Sequence, residues 1–106
     1  MTRRRVELRA TAQRDIDEAI AHYMREGALE AASRFVDELQ HAFETLARHP
    51  EAGSPRYAHE LNLPGLRFWV VRGFPHLVFY VERPDYVDVW RVLHGERDLP
   101  AWMRVP

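Results

Sequence analysis

The chain has 106 residues, of which 46% are hydrophobic, with no cysteine and a formal net charge of −1. That length is expected to form one domain, residues 1–106, whose folding buries about two-thirds of the unfolded surface. The missing cysteines exclude disulfides, thiolate metal sites and a cysteine nucleophile, and the near-balanced charge gives no overall attraction to nucleic acid. No apolar run approaches the ~18 residues that span a bilayer. The start, MTRRRVELRATAQR, leads into no apolar signal core, so a cytoplasmic protein is expected. All fifteen basic residues are arginine. Without lysine there is no amine base or nucleophile, and every cation is a planar fork suited to carboxylate or phosphate.

In chain order, Val6 and Leu8 alternate with Arg5, Glu7 and Arg9, which predicts a short half-buried strand. Thr11 is placed to cap a helix, with Asp15 and Asp17 near its positive end. Ile16, Ala19, Ile20, Tyr23 and Met24 form its apolar stripe, and Gly27 stops it. A second helix follows almost at once. Leu29, Ala32, Val36, Leu39, Phe43 and Leu46 recur every three or four residues, Phe35 widens the stripe, and Pro50 ends it. The short connection makes the pair an antiparallel hairpin. HPEAGSP is turn-rich loop.

From Leu63 the period changes to alternation. LRFWVVRGF (66–74), HLVFYVE (76–82) and YVDVWRVL (86–93) read as three strands joined by tight turns, the middle one apolar on both faces and therefore central. The order β-α-α-β-β-β predicts an α+β domain of two layers, an antiparallel sheet with the helix hairpin packed on one face. In the last strand, Trp90, Val92 and His94 share one face, and Val87, Val89, Arg91 and Leu93 the other. Placing Trp90 and Val92 against the helices leaves the charged Arg91 on the open face, where its desolvation is cheaper.

Few residues carry chemistry. The six histidines show no i,i+4 pair and no HExxH motif, so no metal is expected. Ser33 and Ser54 sit on a helix and in a turn, not in a nucleophile elbow, no glycine-rich loop cradles a phosphate, and no cofactor is expected. What remains is the sheet and the C-terminal tail. Arg67 and Arg72 lie on the first strand of the meander, and Arg91, His94 and Arg97 lie at or beyond the end of the last. Arginines on the open side of a sheet lack a packing reason to be there, which singles out Arg67 and Arg91. His94 is expected to cap the core edge, with Glu96 or Asp98 pairing an arginine to pin the tail.

With these residues in view, the chain resembles the RelE/ParE superfamily of toxins from type II toxin–antitoxin systems. The likeness covers nearly the whole length. It rests on Arg14-Asp15-Ile16, LARHPEAGSPR (46–56), GFPHLVFY (73–80) and above all RVLHGERD (91–98), and looks most like the ParE-type, or plasmid stabilisation, branch. The resemblance implies the fold read above and a cognate antitoxin whose disordered acidic–apolar segment folds on binding. Operator DNA would be contacted only through that antitoxin. Arg67, Phe68, Trp69, Arg72, Tyr80, Arg91, Arg97 and Trp102 are the residues expected to bind antitoxin or target, as aromatic and arginine anchors.

Members of the superfamily either cut ribosome-bound mRNA or inhibit DNA gyrase by binding. The nuclease pattern is incomplete here. Leu77 stands where such proteins carry a strand arginine, their lysines have no counterpart, and Trp102 stands where a tail tyrosine would be sought. Arg91, His94 and Arg97 would be the catalytic cluster of a nuclease, which needs a base, an acid and cations at the scissile phosphate. The expected function is therefore a ParE-like toxin that inhibits gyrase without catalysis. The alternatives are a ribosome-dependent mRNA endonuclease and a non-toxic antitoxin-binding module.

Overall fold

A computed structural model describes residues 3–95 of the chain. Strand β1 (Arg5–Leu8) leads into helices α1 (Ala10–Arg25) and α2 (Leu29–Arg48), a short α3 (Arg56–Glu60), and strands β2 (Leu66–Val70), β3 (His76–Glu82) and β4 (Tyr86–His94). The sheet runs β1-β4-β3-β2. The expected meander is present in β2-β3-β4, but β1 joins β4 in parallel, so the sheet is mixed. The connection from β1 back to its neighbour runs through both long helices, as a parallel crossover requires.

The helix hairpin packs on one sheet face. Ala12, Ile16, Phe35, Leu39 and Leu46 meet Val71, Val78, Tyr80, Val87, Val89 and Val92 there. Gly27, at φ +72°, takes the left-handed conformation that closes α1. At the hairpin, Met24 and Leu29 stay exposed although both continue an apolar stripe. Thr11 does not cap α1: the N-cap is Arg9 without a side-chain bond.

The opposite face is not open. Leu66, Phe79, Val81 and Leu93 form a second, smaller core there, covered by Tyr57, Ala58, Leu61 and Leu63 from α3 and the loop after it. Tyr57 packs on Phe68 and Phe79 at ring separations of 5.5 and 6.0 Å.

A β-bulge corrects the face assignment of β4. Phe79 pairs with Arg91 and Tyr80 with Val89, so Trp90 is left over between them. The extra residue reverses the parity of everything before it. Val87 and Val89 join Val92 against the helices, whereas Trp90 lies with the second core. Unbroken alternation would have buried Trp90 under the helices and turned the two valines away.

The loop after α2 is tied down by Tyr80. This fully buried tyrosine donates its Oη hydrogen to the Pro50 carbonyl at 2.7 Å and accepts the Gly53 N–H at 2.9 Å. Burial pushes the phenol above its ordinary pKa against the opposing effect of the Gly53 bond and Arg67. A Cβ on Gly53 would fall 2.4 Å from that Oη and 2.8 Å from the Phe68 carbonyl oxygen, so only glycine fits. Tyr80→Phe leaves both backbone groups without their partner and is expected to cost about 1–3 kcal/mol in urea unfolding. Gly53→Ala is expected to cost at least as much, because the methyl displaces the same hydroxyl.

Candidate functional site

The segment of β4 beyond β1 has an edge that β1 is too short to cover. Helix α1 covers it with side chains. The ladder continues with the Arg9 N–H on the Val89 carbonyl at 3.0 Å. Thr11 Oγ1 then donates to the Trp90 carbonyl at 2.8 Å, and the Val92 N–H donates to Asp15 Oδ2 at 2.9 Å. The same Asp15 carboxylate accepts two bonds from Arg91, Nε at 2.8 Å and Nη2 at 3.0 Å. Arg91 therefore does have a structural reason for its position. Its fork is matched bidentately to a carboxylate, with a third of its side chain still exposed.

His94 pairs across the sheet with His76, their rings 5.5 Å apart and edge to face. His76 is buried between Phe35, Tyr23 and His94. A polar recess of about 560 Å³ opens beside them, walled by Asp15, Glu18, His22, His76 and His94. Among the described residues no group of three or more histidines and carboxylates is arranged to hold a metal ion. Arg97 of the expected cluster lies outside the described residues, as do Glu96, Asp98 and Trp102.

The expected anchors on β2 and β3 do not form one surface. Tyr80 has no exposed surface and acts through the loop it holds. Arg67 is opposite Tyr80 in the register, on the helix side of the sheet, and donates to the Gly53 carbonyl at 2.7 Å. The open face is thus the wrong location for Arg67, whose packing partner is the HPEAGSP loop. Phe68, Trp69 and Arg72 do come together, at the free edge of β2. With Ala42, Thr45 and Val70 they line a largely apolar groove of about 710 Å³ between β2 and α2. Val70 is 52% exposed.

A further arginine centre escaped the sequence reading. Asp88, 5% exposed, accepts bidentate bonds from Arg9, two bonds from Arg83 and one from Trp90 Nε1. The Arg9 guanidinium also lies 4.5 Å from the Trp90 ring centre, a cation–π contact. Burial alone would raise the Asp88 pKa, but the bonds from Arg9, Trp90 and Arg83 outweigh it and hold the carboxyl below its usual range. The only sequence signal was an aspartate set between Val87 and Val89 in β4.

The fold and these two recesses can be compared with known proteins. No curated protein matches the sequence. Among solved structures, the chain is similar to one from the "Chromosomal ParDE TA system from P. aeruginosa", with a TM-score of 0.73 and 19% identity over 88% of this chain and 97% of that one. At that identity the likeness establishes the fold: a helix hairpin on a short sheet, as in the toxin–antitoxin class. The family described as ParE toxin of type II toxin-antitoxin system, parDE, matches residues 6–99, and the chain belongs to that family. It is the toxin of a type II toxin–antitoxin pair, and its partner is an antitoxin.

A depressed carboxyl stabilises the fold above its unfolded pKa of about 3.9 and loses that contribution as pH falls through the folded value. Asp88→Asn is therefore expected to lower stability by about 2 kcal/mol at pH 7. Urea unfolding at pH 7, 5 and 3 should show the gap between native chain and variant unchanged from pH 7 to 5 and shrinking below about pH 4.

Proposed function

We propose that this toxin acts by binding DNA gyrase and not by cleaving RNA. The observation that carries the reading is the Asp15 clamp on Arg91. A nuclease in this fold would need Arg91 as a cation for the scissile phosphate, and a carboxylate already seated on its fork offsets that charge. Position 77, where the superfamily's nucleases carry an arginine, holds a leucine packed with the second core, and the chain has no lysine. The family match supports the gyrase target.

In this reading the toxin works in the cytoplasm, where its target is. Among the described residues no helix is long and apolar enough to cross a membrane. The antitoxin neutralises it by covering the groove lined by Phe68, Trp69 and Arg72, and operator DNA is contacted by the antitoxin half of the complex.

The test is an assay with gyrase and relaxed plasmid. Adding the purified chain is expected to abolish supercoiling or to accumulate cleaved DNA–gyrase complex, and prior mixing with antitoxin to restore activity. Unaffected gyrase together with cut mRNA on translating ribosomes would establish the endonuclease instead. If neither enzyme is affected and overexpression is harmless, the chain is an antitoxin-binding module.

A further inference from the structure

The Asp88 centre holds more arginine than its carboxylate needs. A carboxylate has about four lone-pair sites, yet Asp88 accepts five bonds, four of them on Oδ2. The Arg9 fork and the Trp90 indole alone would satisfy it. Arg83 adds two further bonds to Oδ2, at 3.1 and 2.9 Å. Both arginines bond through Nε and Nη2, and among the described residues nothing accepts a hydrogen bond from Nη1 of either. Their side chains remain 49% and 38% exposed, although the carboxylate they hold is buried.

The sheet is also deformed in favour of this surface. The extra residue of the β4 bulge is Trp90, and bulges re-aim side chains beside functional sites. Trp90 packs against the second core and stays partly exposed, with the Arg9 guanidinium 4.5 Å from its ring centre. Three separate parts of the chain meet here: the β1–α1 junction, the β3–β4 turn and the middle of β4. Tryptophan and arginine are enriched among the residues that carry the binding energy of protein interfaces. Asp88 fixes both arginines and the indole in advance, so little side-chain freedom is lost on contact.

The surrounding charge selects the kind of partner. Arg4, Arg5, Arg9 and Arg83 meet Glu7, Glu82, Asp85 and Asp88. The region is therefore balanced and lacks the excess of cations that binding to a phosphate backbone requires. Arg4 and Arg5 engage the acids outside the centre, which leaves the Nη1 donors of Arg9 and Arg83 for a carboxylate from elsewhere.

We propose that Trp90, with Arg9 and Arg83, is the surface through which the toxin meets its protein target. The partner lays an apolar side chain against Trp90 and presents a carboxylate to the two arginines. The inference rests on the reading of gyrase as that target. It separates inhibition from neutralisation, because β1 and β4 lie on one side of the sheet and the groove of Phe68, Trp69 and Arg72 at the opposite edge.

Single replacements test it, since Arg9→Gln and Arg83→Gln each leave Asp88 one complete arginine. Both variants are expected to unfold cooperatively in urea and to bind antitoxin as the native chain does. Their inhibition of gyrase supercoiling should be weaker by about tenfold or more, and so should their binding to gyrase free of DNA. Arg9→Lys and Arg83→Lys keep a cation on Asp88 but lack the second arm of the fork, and carry the same expectation should a glutamine variant fail to fold. Full inhibition by the folded variants, a loss confined to antitoxin binding, or a loss seen only with DNA present overturns the assignment and leaves the gyrase reading standing. A native chain that leaves gyrase active overturns that reading, and the assignment with it.

Discussion

One carboxylate decides how the end of the sheet is built. Asp15, on the second turn of α1, accepts the Val92 N–H and both ends of the Arg91 fork. Without it, the part of β4 that outruns β1 would present a bare edge and an uncompensated arginine beside a hydrophobic core. With it, α1 is fixed against β4, and the bulge at Trp90 has a support on its open side. The bulge in turn lets one strand serve two cores, valines under the helix hairpin and Trp90 with Leu93 under α3. The Asp88 centre is the counterpart on the second face. It holds Trp90 and the two arginines that flank it in space, and joins β1 to the β3–β4 turn.

Much of this was legible in the sequence, for identifiable reasons. The helices announce themselves through long stripes with a 3.6-residue period, and β3 through apolar residues on both faces, which only a central strand needs. The resemblance carried by RVLHGERD and GFPHLVFY extended over the chain and agrees with the family match to residues 6–99. The faces of β4 were not legible. Parity counting assumes an unbroken ladder, and a bulge adds a residue with no mark in composition. The parallel place of β1 was hidden as well, since four residues carry no record of their partner's direction.

The site was harder than the fold because an arginine looks the same whether it meets a partner or its own chain. Arg67 and Arg91 drew notice as charges on a sheet, yet one holds the Gly53 carbonyl and the other Asp15. Tyr80 drew notice as an aromatic anchor, and it anchors the loop that carries Gly53 and Ser54. That loop then occupies part of the β2 edge, where Ser54 bridges to Phe68, and Val70 stays exposed. The structural use of Tyr80 and Arg67 therefore defines the groove from within, and Phe68, Trp69 and Arg72 present it outward. In the proposed reading, recognition is drawn from residues whose spacing carries no catalytic signature.

The central claim is that Arg91 serves the fold through Asp15. A double-mutant cycle of Asp15→Ala and Arg91→Ala, followed by urea unfolding, measures that coupling directly. The expected result is that each variant is destabilised and that the double variant falls short of the sum by about 1–3 kcal/mol. Additive losses, with Arg91→Ala as stable as the native chain but no longer toxic, would contradict it and return Arg91 to the surface that meets the target.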